Sequence, residues 1–107
     1  MQYQIRLTDD ARHDLVSTYS YIADKDSIAS ADYVISNIES TFESLQQMPE
    51  RGSYVKELMS LGLKEFREVF FKPYRIIYRV QARTIDVYVI ADGRRDIQAL
   101  LQFRLLT

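Results

Sequence analysis

The run from Lys64 to Asp96, KEFREVFFKPYRIIYRVQARTIDVYVIADGRRD, limits the fold of this chain more than any other stretch. It divides into three short segments, Lys64–Phe71, Tyr74–Val80 and Ile85–Ala91, each rich in β-branched and aromatic residues and bounded by breakers such as Pro73 or Gly93. The pattern predicts three successive β-strands, with the second hairpin turning near Gln81–Thr84. Side chains alternate between the faces of a strand, so Tyr74, Ile76, Tyr78 and Val80 share one side of the middle strand and Arg75, Ile77 and Arg79 the other. Arg94 and Arg95 follow directly on Gly93, where the chain must turn. Several guanidinium groups are thereby set around one short sheet.

The remaining segments read as material to pack on that meander. Gln2–Leu7 alternates, with Tyr3, Ile5 and Leu7 on one face, and predicts a half-buried first strand. Thr8 can then cap a helix whose first turn carries Asp9 and Asp10, carboxylates that favour the positive end of the helix dipole. Ala11, Leu15, Thr18/Tyr19 and Ile22 make one apolar stripe on a helix running to about Asp24. Asp26 or Ser27 caps the next, where Ile28, Ala31, Val34/Ile35, Ile38, Phe42 and Leu45 keep the period until Pro49 forbids helix at Met48. The short Lys25–Ser27 connection makes these two helices an antiparallel hairpin.

Pro49–Leu63 has no clean period and reads as a loop with a short strand or turn. Asp96 caps a last helix, Ile97–Leu106, with Ile97, Leu100, Leu101, Arg104 and Leu105 along one flank and an apolar edge left to bind a partner. The order β-α-α-β-β-β-α predicts an α+β fold, a helical hairpin on a mostly antiparallel sheet, as a single domain over residues 1–107.

Length and charge narrow the function. A chain of 107 residues buries roughly two-thirds of its unfolded surface around one core. No cysteine is present, which excludes disulfides, thiolate metal sites and cysteine nucleophiles. No apolar run approaches the roughly 20 residues of a membrane span, and MQYQIRLTDD lacks a signal-peptide pattern, so a cytoplasmic protein is expected. The net charge of −1 hides a division: residues 1–63 carry five Lys/Arg against ten Asp/Glu, net −5, and residues 64–107 nine against five, net +4. A basic C-terminal part fits an acidic protein segment or a nucleic acid, unless the arginines pair with the acidic helices of the same chain.

His13 is the only histidine, so a two-histidine nuclease, a Ser-His-Asp triad and a zinc deaminase are all hard to build, and His13 itself reads as a surface residue. With glycine only at 52, 62 and 93, nucleotide-cradling loops are excluded. Capping and solvation account for Asp9, Asp10 and Asp14 better than a metal does, and no metal or cofactor is expected. What remains is arginine chemistry. Arg75, Arg79, Arg94 and Arg95 can clamp phosphates or carboxylates and stabilise developing charge, though they cannot act as bases near neutral pH. Tyr74, Tyr78 and Tyr88 interleave with them as stacking surfaces for nucleic acid or, at strand spacing beside isoleucines, as core.

The combination of PYRIIYRV, IDVYVIADGRRD, the trailing LLQFRLL and TYSYIA in the first helix resembles the RelE/ParE superfamily of bacterial toxins from type II toxin-antitoxin modules, which act in plasmid stabilisation and growth arrest. The resemblance spans almost the whole chain and implies the β-α-α-β-β-β core together with a cognate antitoxin whose flexible C-terminal segment neutralises the toxin. It implies one of two activities. RelE-like members cut mRNA on the ribosome with arginines, lysines and a tyrosine; ParE-like members inhibit DNA gyrase and trap cleaved DNA.

Carried onto this sequence, the RelE-like arginines fall on Arg75 and Arg95. The lysines fall near Phe66 and Glu68, with Lys64 and Arg67 adjacent, and the final tyrosine falls at Leu101. Half of that catalytic set is therefore replaced. FREVFFKPYRIIYRV and the apolar last helix look more like ParE, a binder of its target rather than an enzyme. Arg75, Arg79, Arg94, Arg95, Leu101 and Arg104 are then the expected contacts to target or antitoxin. Under the endoribonuclease alternative, Arg75 and Arg95 hold the scissile phosphate, with Glu68 as a base if desolvated and Lys64 assisting. A third reading is a decayed toxin that only binds its antitoxin. The charge division predicts an acidic, amphipathic antitoxin segment across the basic sheet, with modest salt dependence if apolar burial dominates.

Overall fold

A computed structural model describes residues 2–105. The first strand, β1, covers Gln4–Leu7, and the two hairpin helices are α1, Asp9–Lys25, and α2, Ile28–Glu43. Thr8 caps α1 by accepting a 3.1 Å bond from the Ala11 N–H, and Ser27 caps α2 from the Ser30 N–H at 3.0 Å. The predicted second helix runs on to Leu45. Regular α-helix instead stops at Glu43 and tightens into a 3₁₀ turn, Ser44–Gln46, where the Ser44 hydroxyl donates to the Thr41 carbonyl and competes with the α-pattern. Leu45 is buried all the same, whereas Ile28, expected on the apolar stripe, is exposed at the first helical position.

The segment read as a loop contains a two-residue strand β2, Ser53–Tyr54, and a one-turn helix α3, Lys56–Met59. The meander follows as β3, Phe66–Phe71, β4, Tyr74–Gln81, and β5, Thr84–Asp92, and the last helix α4 covers Ile97–Leu105. Lys64, predicted inside the first strand of the meander, lies in the approach to it, and the expected extension of α4 to Leu106 lies outside the described residues. The sheet order is β1-β5-β4-β3-β2, antiparallel except for the parallel pair β1–β5. No helix among the described residues is long and apolar enough to cross a membrane.

Each face of the sheet carries its own core. The α1–α2 hairpin packs Ala11, Ile38, Phe42 and Leu45 on Ile76, Tyr78, Ile85, Val87 and Ile90. On the opposite face α3 and α4 pack Leu58, Ile97 and Leu101 on Phe66, Ile77, Val89 and Ala91. Strict alternation cannot place both Val87 and Ile90 on one side. A bulge resolves this: Tyr78 pairs with Val87 but Ile77 pairs with Val89, so Tyr88 is an extra residue that reverses the phase of β5 midway.

Candidate functional site

The sequence-predicted arginines separate into two groups. Arg75 leaves β4 on the α3–α4 face with its side chain 11% exposed, and carboxylates meet all of its nitrogens. Its Nε donates to Glu68 Oε1 at 2.6 Å, and its Nη1 and Nη2 donate to the two Glu57 oxygens at 2.8 Å each. Glu57 comes from α3, so the pair fastens that single turn to the sheet. The Arg75 guanidinium holds the Glu57 carboxyl below its usual range, and Glu57 foremost raises the already high arginine pKa. Glu68, the candidate base, is buried with one oxygen on Arg75 Nε. Lys64 is exposed outside the strand and Leu101 is a core residue.

Arg79 shares the face of Arg75 but lies over the Phe66 and Tyr88 rings, 5.4 and 5.6 Å from their centroids. One of its nitrogens donates to the Tyr88 hydroxyl and to Gln81, and its buried Nε has no hydrogen-bond partner among the described residues. Of the interleaved tyrosines, Tyr78 is wholly core; its hydroxyl donates to the Pro49 carbonyl at 2.7 Å and accepts from the Gly52 N–H at 3.1 Å. A Cβ on Gly52 would stand 2.6 Å from both the Glu68 carbonyl and that hydroxyl, so only glycine fits there.

Arg104 is tied down by a residue expected to be solvated. Asp14 is 5% exposed and takes Arg104 in a fork, Nη1 at 2.7 Å and Nη2 at 2.8 Å, raising the arginine pKa. It also accepts the Ile90 N–H at 2.9 Å, while Arg104 donates to the Tyr88 carbonyl at 3.0 Å. The ladder of β1 ends at Leu7, opposite Val87, so this ion pair supplies the hydrogen bonds that β5 would otherwise lack on its outer side. A position three residues from Ala11 and four from Thr18 flanks the stripe of α1; that spacing was the available signal for burial of Asp14.

The second group stands at the turn after β5. The Gly93 N–H donates to the Pro73 carbonyl at 2.8 Å, a close approach that brings the two turns together and presents Arg94 and Arg95 to solvent. Arg94 is in a fork with Asp92 at 2.8 and 3.0 Å, holding that carboxyl below its usual range. The exposed Arg95 side chain has no ion-pair partner among the described residues.

These residues border a cleft of about 660 Å³ between α1 and the end of β5, with Arg94, Arg95 and Arg104 on one side and His13 and Tyr21 on α1 facing them. Tyr74 forms its wall; burial first, then the charge of Asp92, raises its hydroxyl pKa. The cleft thus combines one unpaired guanidinium with aromatic walls, suited to a carboxylate or phosphate carried on a larger partner. The structure brings Arg94, Arg95 and Arg104 together and leaves Arg75, Arg79, Glu68 and Lys64 outside the cleft lining. Sequence reasoning missed His13 and Tyr21 as cleft residues and Glu57 as the partner of Arg75. No group of three or more His, Cys, Asp or Glu among the described residues is placed to hold a metal.

Residues 5–97 match the model of the family described as the ParE toxin of the type II toxin-antitoxin system parDE. Among solved structures, a chain of the "Chromosomal ParDE TA system from P. aeruginosa" superposes with a TM-score of 0.70 at 18% identity, covering 84% of this chain and 95% of that one. No curated protein matches by sequence.

Proposed function

The chain belongs to the ParE toxin family of type II toxin-antitoxin systems, and from that membership we propose that it arrests growth by binding DNA gyrase and is neutralised by a cognate antitoxin. The observation that carries this reading is the contrast between Arg75 and Arg95. A nuclease would need Arg75 free to meet a phosphate, yet Glu57 and Glu68 occupy its three nitrogens. The position of the final tyrosine of RelE-like members holds Leu101, 1% exposed within a core. An mRNA interferase is therefore poorly supported, whereas Arg94 and Arg95 stand in the open at the mouth of the cleft.

The test is a supercoiling and DNA-cleavage assay with purified toxin and its Arg95→Ala variant. Inhibition with accumulated cleaved DNA is expected from the wild type and a loss of about tenfold or more from the variant, with an unchanged melting temperature. Full potency in the variant removes Arg95 from the site. Gyrase left untouched while transcripts are cleaved on ribosomes establishes the interferase reading instead, and normal growth on expression of folded toxin alone establishes the decayed one.

A further inference from the structure

The polar groups lining the cleft between α1 and the end of β5 fall into two sets. Both carboxylates are spent on arginines of the same cleft, Asp14 on Arg104 and Asp92 on the Nε and Nη2 of Arg94. The rest are uncommitted. Among the described residues, Arg95 has no ion-pair partner, and neither the Nη1 of Arg94 nor the side chains of His13, Ser17, Thr18, Tyr21 and Tyr74 have a hydrogen-bond partner. His13, Ser17 and Tyr21 recur at every fourth position, so α1 presents them as one ridge along the cleft wall. Each uncommitted group can donate a hydrogen bond, and two of them carry flat phenol rings.

Uncommitted donors beside neutralised carboxylates call for a ligand rich in acceptors. A phosphate monoester brings three terminal oxygens to Arg95, Arg94 Nη1 and the α1 hydroxyls, where a carboxylate brings two. One whole guanidinium and part of another balance a single phosphate rather than a polyphosphate chain. The Tyr21 ring, 64% exposed, and the Tyr74 ring are faces on which a base can stack. The volume of about 660 Å³ lies within the roughly 300–1,000 Å³ of small-molecule sites. We propose that this cleft binds a nucleoside monophosphate unit, its phosphate on Arg95 and Arg94, its sugar along Ser17 and Thr18, and its base against Tyr21 and Tyr74. The unit arrives as a free mononucleotide or as the phosphorylated end of a nucleic-acid strand. Arg75, Glu68 and Lys64 do not line the cleft, so the ligand is held there and not cut. This site goes beyond the gyrase reading, since the toxin binds the ligand with no other protein present.

The experiment is a calorimetric titration of the purified full chain with the four common nucleoside 5′-monophosphates, the matching nucleosides, inorganic phosphate, and a short DNA oligonucleotide with and without a 5′-phosphate. At least one monophosphate should bind, with its nucleoside and inorganic phosphate each about tenfold or more weaker, because phosphate and base are both recognised. Arg95→Ala and Tyr21→Ala should each lose about tenfold at an unchanged melting temperature, since both side chains are exposed. Arg83→Ala removes an exposed arginine outside the cleft and should bind as wild type does. Tighter binding of the phosphorylated oligonucleotide than of the monophosphates supports a strand end as the source; the reverse order supports a free nucleotide. Silence from every phosphorylated ligand at millimolar concentration overturns the proposal. So does an equal loss in Arg83→Ala, which reduces the binding to diffuse charge, and so does inorganic phosphate binding as tightly as the nucleotides. Gyrase takes no part in these titrations, so the gyrase reading and this one fail separately.

Discussion

The two faces of the sheet are held by different means. Beneath the α1–α2 hairpin, Ile38, Leu45, Ile76, Tyr78, Ile85 and Val87 are fully buried, and the Tyr78 hydroxyl is satisfied twice. Two helices of 17 and 16 residues cover that face. The other face is covered by helices of only four and nine residues, too short to persist without tertiary support. There ion pairs do the fastening, Glu57 and Glu68 on Arg75 at one end and Asp14 on Arg104 at the other. Hydrocarbon suffices where helices are long; short helices draw on charge, and an arginine used in this way is withdrawn from a ligand.

The largest effect that sharpens this contrast is expected from Arg75→Ala, which leaves the buried Glu68 and the half-buried Glu57 carboxylates without a counterion and should cost about 3–5 kcal/mol in urea unfolding. Replacing Arg75, Glu57 and Glu68 together by methionine should recover much of that loss; a neutral single variant would dissolve the distinction between the faces. On the hairpin side, Tyr78→Phe keeps the packing but strands the Gly52 N–H and the Pro49 carbonyl, for a loss of about 1–3 kcal/mol by chemical denaturation.

The smallest effect is acidic. The Glu57 pKa is lowered in the folded state, so the pair stabilises fully above the unfolded value and its contribution is lost as pH falls through the folded one. Melting temperatures taken downward from pH 6 should therefore drop more steeply for wild type than for Glu57→Gln. Parallel curves would assign the acid sensitivity to other carboxylates.

Much of the fold was legible because its signals are local. Thr8, Ser27 and the periodic apolar residues of α1 and α2 announce the hairpin, and Pro73 with Gly93 punctuates the strands. The bulge at Tyr88 was not legible, since the continuous apolar run from Val87 to Ala91 is compatible with either phase. Nor was the one-turn helix α3, whose four residues carry too little periodicity to detect. The site was readable as a set of arginines and not as a grouping. Which of Arg75, Arg94, Arg95 and Arg104 finds a carboxylate depends on Glu57, Asp14 and Asp92 arriving from three different elements, a tertiary fact that spacing does not encode.

The ion pair at the outer side of β5 has one further consequence. A strand with vacant backbone donors and acceptors is a template on which another chain can grow, and β1 stops short of covering the whole of β5. Asp14 and Arg104 occupy the Ile90 N–H and the Tyr88 carbonyl with groups that cannot be extended into a further strand. The same contact that fastens α4 thus makes that stretch of the sheet sterile toward aggregation, a safeguard built from two side chains where a longer strand would have served.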